Sequence, residues 1–131
     1  MVTVAAAIIH HDSKILLAKR SSHKFLGGYW EFPGGKIESG ETPEICLERE
    51  LYEELKISVQ IEGFLTEQTY DYGDFSVLLK VYICRFISGS FTLNDHDEVK
   101  WVDKDDVLSY KLAPADIPVF NYYLSNYIKI P

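Results

Sequence analysis

Apolar residues run almost unbroken from Val2 to Ile9, the pattern of a strand buried on both faces. His10-His11-Asp12-Ser13 reads as a turn of solvated residues, and Lys14–Arg20 (K-I-L-L-A-K-R) returns as a second strand paired on the first. Ser21–Gly28 is a polar, glycine-bearing loop, Tyr29–Phe32 a short aromatic segment, and Pro33-Gly34-Gly35 a break. From Pro43 the period changes. Leu47, Leu51 and Leu55 recur every four residues and form one apolar stripe of a helix, with Thr42 as its N-cap and Pro43 at its first position. Ser58–Tyr70 alternates in part and Phe75–Phe86 is a long apolar run; joined by the turn Asp71–Asp74, they predict a hairpin. After the turn Ser88-Gly89-Ser90, Val99–Val102 is a short strand, Asp103–Tyr110 contains a short helix, and Leu112–Phe120 opens a last helix reaching about Lys129. The order of strands, helix, strands, helix predicts an α/β fold with a mixed sheet between helices. No repeat, low-complexity tract or linker divides residues 1–131, so one domain is expected.

Composition adds limits. With 47% hydrophobic and 25% charged residues, the chain has the apolar material for a core. No apolar run approaches the roughly 18–20 residues of a membrane span, and Met1–Ile9 lacks the basic start of a signal peptide. A cytoplasmic protein without a membrane partner is expected. Cys46 and Cys84, without metal-like spacing, suit a reducing compartment as small core residues. The net charge of −7 disfavours a nucleic-acid strand as partner. A small polyphosphate still fits, provided a divalent cation reverses the local sign of its site.

The helix after the glycines shows where such a cation would go. Glu50, Glu53 and Glu54 fall within an arc of roughly 100° beside the leucine stripe. Like charges at this spacing repel, and Arg49 is the one cation flanking them. Carboxylates on one rigid face make a hard-oxygen site for Mg²⁺ or Mn²⁺, and Gly34 and Gly35 let backbone carbonyls approach the same ion.

The run Gly35–Ile57 resembles the Nudix box, G-x5-E-x7-R-E-U-x-E-E-x-G-U, where U is aliphatic. Gly35, Glu41, Arg49, Glu50, Leu51, Glu53, Glu54 and Ile57 match; Lys56 stands where the family usually has glycine. Glycine is favoured at such a helix end because it takes positive φ freely. The resemblance implies the Nudix α/β/α sandwich over the whole chain. It also implies hydrolysis of a nucleoside diphosphate linked to another group, with water attacking phosphorus in line. By position in the box, Glu50 and Glu54 are the chief metal ligands, Glu53 supports them, and Gly34 adds a carbonyl oxygen. Arg49 orients Glu53 or a neighbouring carboxylate, and Glu41 is structural. Many relatives carry a His-x-Glu segment ahead of a tryptophan, which makes Glu98 a further ligand or base; Asp95 and Asp97 stay open, and so does the choice of Glu50 or Glu98 as base. Arg20 and Lys36 are the implied phosphate contacts.

The substrate is addressed by two segments. W-E-F-P-G-G-K-I-E-S-G-E resembles the MutT-like nucleoside triphosphatases, and L-A-P-A-D-I-P (Leu112–Pro118) resembles their CTP-pyrophosphohydrolase branch. Asp116 stands where the 8-oxo-dGTP enzyme has a base-reading asparagine. An ionised aspartate only accepts hydrogen bonds, which suits the exocyclic amine of cytosine, although guanine N1–H and N2–H₂ can also donate to it. The plainer role for Asp116 is the N-cap of the last helix. Phe75 and Tyr72 are candidate stacking partners for the base. The expectation is Mg²⁺-dependent hydrolysis of pyrimidine nucleoside triphosphates to monophosphate and pyrophosphate, by a monomer or homodimer. The alternatives are an 8-oxo-dGTP diphosphatase and a nucleotide-sensing Nudix module without turnover.

Overall fold

The computed structural model describes residues 1–127. Its elements are β1 (Val2–His11), β2 (Lys14–Arg20), β3 (Trp30–Glu31), β4 (Gly34–Lys36), α1 (Pro43–Leu55), β5 (Ser58–Asp71), β6 (Ser76–Ser88), β7 (His96–Asp103) and α2 (Asp116–Asn126). They build one mixed sheet in the order β3-β2-β1-β6-β5, with β4 also on β1 and β7 also on β2. Only β1 and β6 run parallel; the remaining pairings are antiparallel. The expected α/β sandwich is observed, with α1 on one face of the sheet and α2 on the other.

β1 is central, and its alternation divides the core. Ala5, Ala7 and Ile9 face α1, where Cys46, Leu47, Leu51 and Leu55 are buried. Ala6 and Ile8 face α2 and pack with Val119, Phe120 and Tyr123. Successive strand residues point to opposite faces, so a strand covered on both sides must be apolar throughout. Each fully buried leucine of the α1 stripe contributes about 1.5–3 kcal/mol relative to exposure.

Local chemistry sets the element ends. Thr42 Oγ1 accepts from Ile45 N at 3.2 Å and Pro43 opens α1, as the sequence predicts. His10 and His11 are the main correction near the start: both belong to β1, and the turn narrows to Asp12 and Ser13 with φ of 50° and 66°. His10 pairs with Glu62, and His11 packs edge-on against Phe86. β7 begins earlier than expected, and the short helix is a 3-10 turn over Lys104–Ser109. The last helix starts only at Asp116, and the predicted end near Lys129 lies outside the described residues. The long β5 forms one edge of the sheet, and its register against β6 shifts at three places.

Lys56 ends α1 in the left-handed conformation, φ 59° and ψ 39°, with its N–H donating to the carbonyls of Leu51 and Tyr52. The motif demands the backbone glycine would supply, and a side chain there is strained. Lys56→Gly is expected to stabilise the fold by about 0.5–1 kcal/mol, read as a rise in the urea midpoint at unchanged slope.

Candidate active site

The turn between β4 and α1 sets the floor of a cleft. Gly34 pairs with Ala6, and a Cβ at this position would lie 1.9 Å from the Ala5 carbonyl oxygen, so the close β1–β4 approach requires glycine. A Cβ on Gly35 would lie 2.3 Å from Cδ of Glu50. The Glu50 carboxylate therefore rests directly on the Gly35 backbone. Cys46 packs its Sγ against the Lys36 carbonyl at 3.3 Å beneath the same turn, and burial pushes its thiol up to about 11.

Arg49 ties the carboxylates together. Its Nε and Nη2 donate to the two oxygens of Glu41 at 2.6 and 2.9 Å, a planar two-point contact. Its Nη1 donates to Glu50 at 2.9 Å and to Glu53 at 3.3 Å, and Nη2 also reaches the Lys36 carbonyl at 3.3 Å. The hydrogen bond from Arg49 holds Glu41 down at about 2, so Glu41 stays ionised as the anchor of the guanidinium.

Glu50 and Glu54 line the cleft; Glu53 does not, and its side chain is 56% exposed on the Arg49 side of the helix. Burial pushes Glu54 up to about 7, opposed by His96 and reinforced by Glu50, which shares a hydrogen bond with it. A cation beside Glu54 would favour its ionised form in place of the proton. The hard-oxygen donors and the Gly35 cradle fit a divalent ion of the Mg²⁺ type. Among the described residues no three acidic, His or Cys side chains already stand in ligand positions.

Opposite Glu54, Arg20 donates from Nη1 to Glu31 at 2.8 Å and from Nε to the Phe25 carbonyl at 2.7 Å. His96 sits between the two acids, with Nε2 2.9 Å from Glu31 Oε2 and Nδ1 3.5 Å from Glu54 Oε2. Lys24 pairs with Asp95 across the cleft mouth, and Lys36 lines the near wall.

The far end of the cleft is aromatic. Phe75 stacks on Tyr72 at a centroid distance of 5.5 Å, and Phe25 packs on Phe75 edge-on at 5.3 Å. Asp116 lies at its base. Trp30 N donates to the Lys111 carbonyl and Ala113 N to the Trp30 carbonyl, both at 2.8 Å, which straps Leu112–Asp116 to β3. The Asp116 carboxylate accepts from Phe32 N at 3.2 Å and caps nothing, which corrects its plainer assignment: it is the first residue of α2, and Ala115 is the cap. Burial, reinforced by the Glu31 charge, pushes Asp116 well above the usual carboxylate range. A carboxyl that keeps its proton both donates and accepts.

The NUDIX domain family matches residues 1–123. The chain belongs to the Nudix family. A CTP pyrophosphohydrolase of Escherichia coli K12 is 34% identical over 125 residues, covering 95% of this chain and 93% of that protein. An 8-oxo-dGTP diphosphatase of the same organism is 29% identical over 117 residues, covering 88% and 91%. The solution structure of the E. coli ORF135 protein superposes with a TM-score of 0.87 at 33% identity, covering 100% of this chain and 94% of that one. This Nudix chain is thus an enzyme of the hydrolase class, in a family whose members here include named pyrophosphohydrolases.

Of the residues expected at the Nudix site, Gly34, Glu50, Glu54, Arg20, Lys36, Phe75 and Asp116 are brought to one cleft of about 480 Å³. Arg49 stands behind it. Glu98 is not brought there: its carboxylate faces Lys100 Nζ at 3.9 Å. The cause is a bulge. Arg20 pairs with His96 while Lys19 pairs with Glu98, so Asp97 is the extra residue, and His96 and Glu98 point to opposite faces. His96 and Glu31 were missed as site residues because a bulge leaves no mark in hydrophobic alternation. The W-E-F-P segment carried the one available signal, an acid between two aromatics that face the other side.

The proton on Glu54 has a measurable consequence. Its folded value of about 7 exceeds the ordinary 4.5, so the folded state binds more protons, and this stabilisation is lost as pH rises through 7. In metal-free protein, Glu54→Gln removes that loss. Relative to wild type, the variant is expected to gain about 2 kcal/mol between pH 5 and pH 8 in urea titrations.

Proposed function

We propose that this Nudix hydrolase converts pyrimidine nucleoside triphosphates (CTP, dCTP or 5-methylated cytosine nucleotides) to the monophosphate and pyrophosphate, with Mg²⁺ as cofactor and Mn²⁺ as a substitute. The observation that carries the reading is Asp116, seated on Phe32 N and lining the same cleft as Glu50, Glu54 and the aromatic pair Tyr72 and Phe75. One Asp116 oxygen is held by the backbone, and the other is left for the base. A protonated carboxyl can donate to cytosine N3 and accept from its exocyclic amine. The 34% identity to an enzyme named CTP pyrophosphohydrolase supports the same choice.

Glu50 and Glu54, with the Gly34 carbonyl, would hold the cation; when bound, it polarises phosphate oxygens and acidifies the attacking water. Arg49 keeps Glu50 in place while Glu41 fixes the guanidinium. Glu53 completes the ion-pair ring from outside the cleft, a supporting role. With Glu98 turned away, acceptance of the water proton falls to Glu50. Arg20 and Lys36 orient the triphosphate; Arg20 has Nη2 left for a phosphate oxygen after its bonds to Glu31 and Phe25. Phe75 stacks on the base. Attack on the α-phosphorus breaks its bond to the bridging oxygen, and the pyrophosphate leaves into a cleft mouth carrying Lys24. Residues 1–131 act as one Nudix unit in this reading.

A second reading, 8-oxo-dGTP hydrolysis, draws on the same proton: a neutral Asp116 can also donate to a purine O6 and accept from N1–H. Initial rates of pyrophosphate release over CTP, dCTP, 5-methyl-dCTP, 8-oxo-dGTP and 2-hydroxy-dATP separate the two. Pyrimidine nucleotides are expected to lead by tenfold or more in kcat/KM; a tenfold lead of 8-oxo-dGTP reverses the assignment. Glu50→Gln is expected to lower kcat by at least about 100-fold under saturating Mg²⁺.

Asp116 is tested apart from the metal. Asp116→Ala should raise KM for the preferred nucleotide about tenfold, because a lost hydrogen bond in a buried site costs more than 1 kcal/mol. Asp116→Asn keeps one donor and one acceptor and should stay within about threefold of wild type. An Asp116→Ala enzyme with unaltered KM returns Asp116 to a purely structural role.

A further inference from the structure

His96 is the one buried side-chain atom problem among the described residues: its Nδ1 has no hydrogen-bond partner. The side chain is 5% exposed, so water does not serve it. A buried polar atom without a partner is destabilising, and natural folds keep few of them. This one is aimed at Glu54 Oε2, 3.5 Å away, just beyond bonding distance. The other ring nitrogen is fully engaged. Nε2 donates to Glu31 Oε2 at 2.9 Å, and Glu31 Oε1 accepts from Arg20 Nη1 at 2.8 Å. The imidazole thus stands between a carboxylate of β3, tied to the phosphate-binding arginine, and a carboxylate of α1 assigned to the metal. The β7 bulge that turns Glu98 away is what places it there.

We infer that His96 is a positioning residue that couples the phosphate-binding arm, Arg20–Glu31, to the metal-binding carboxylate Glu54. The inference rests on the proposed pyrophosphohydrolase reading. A rigid planar ring between two acids on different elements fixes their separation. Glu54 then has one wall to rest against when it turns toward a cation, and Arg20 keeps its reach along the same line. The unpaired Nδ1 lets Glu54 move without breaking a bond to the ring.

Two substitutions separate the arms. The amide of Gln places its terminal atoms near the former Nε2, and that of Asn near the former Nδ1. His96→Gln therefore keeps the Glu31 contact and loses the Glu54 wall. It should weaken Mn²⁺ binding, followed by electron paramagnetic resonance without nucleotide, at least about fivefold, and lower kcat about tenfold with KM within about twofold. His96→Asn keeps the Glu54 side and frees Glu31 and Arg20. It should raise KM about fivefold or more while Mn²⁺ affinity stays within about twofold. A purely structural histidine would shift both variants alike, and matching profiles overturn the inference. Should either variant fail to fold, the wild type carries the test through the ¹⁵N resonances of the imidazole. Added Mg²⁺ is expected to move the Nδ1 signal while the Nε2 proton stays on Glu31; an Nδ1 signal indifferent to Mg²⁺ overturns the coupling. An enzyme inactive on every nucleotide would sink the proposed function, yet the Mn²⁺ and NMR measurements would still decide the role of His96.

Discussion

Arg49 is the interaction on which the cleft depends. It donates to three glutamates, and its planar fork is already committed at both ends to Glu41 and Glu50. Without it, Glu50, Glu53 and Glu41 would repel on a helix and turn that approach within hydrogen-bonding distance of one guanidinium. Lysine could not replace it, since a point charge cannot hold two carboxylates in defined planes. The Gly35 backbone supplies the other half of the constraint. It removes the one side chain that would stand where the Glu50 carboxylate lies.

From that fixed corner the cleft gathers its chemistry: carboxylates of α1, the cations Arg20, Lys24 and Lys36, aromatic rings and one buried acid. Different parts of the fold bear these groups. The central β1 holds β4 and its glycines on one edge and β6 on the other, while β2 carries Arg20 to β7 and His96. The strap from Trp30 to Leu112 and Ala113 carries Asp116 to the base end. The acidic chain as a whole repels a polyphosphate, so at a charge of −7 a substrate of that kind depends on the cations of the cleft, and in the proposed reading on a divalent ion, to reverse the sign locally.

Much of this was legible in residues that obey local rules. The leucine stripe, Thr42, Pro43 and the glycine pair announced α1 and its turn, because spacing and capping depend on neighbours in the chain. The left-handed Lys56 was foreseen for the same reason. What escaped depended on pairing across the sheet. One extra residue at Asp97 exchanged the expected Glu98 for His96, and no alternation of apolar residues records such an insertion. Asp116 was named from the L-A-P-A-D-I-P segment, which does not show the burial that raises its carboxyl. Whether an aspartate keeps its proton depends on burial and on Glu31, which lies distant in sequence and close in space.

The exposed margin of β5 has a consequence for the molecule among its own copies. A flat, unpaired strand of 14 residues would be a template on which another chain could add. Here its ladder slips at Ser58/Val59, Ile61/Gly63 and Phe64/Thr66, which leaves Thr66–Asp71 as the longest stretch in even register. Glu62 and Glu67 add like charge along the same border. The irregularity that looks like imperfect pairing shortens the length of edge on which another chain could add in register.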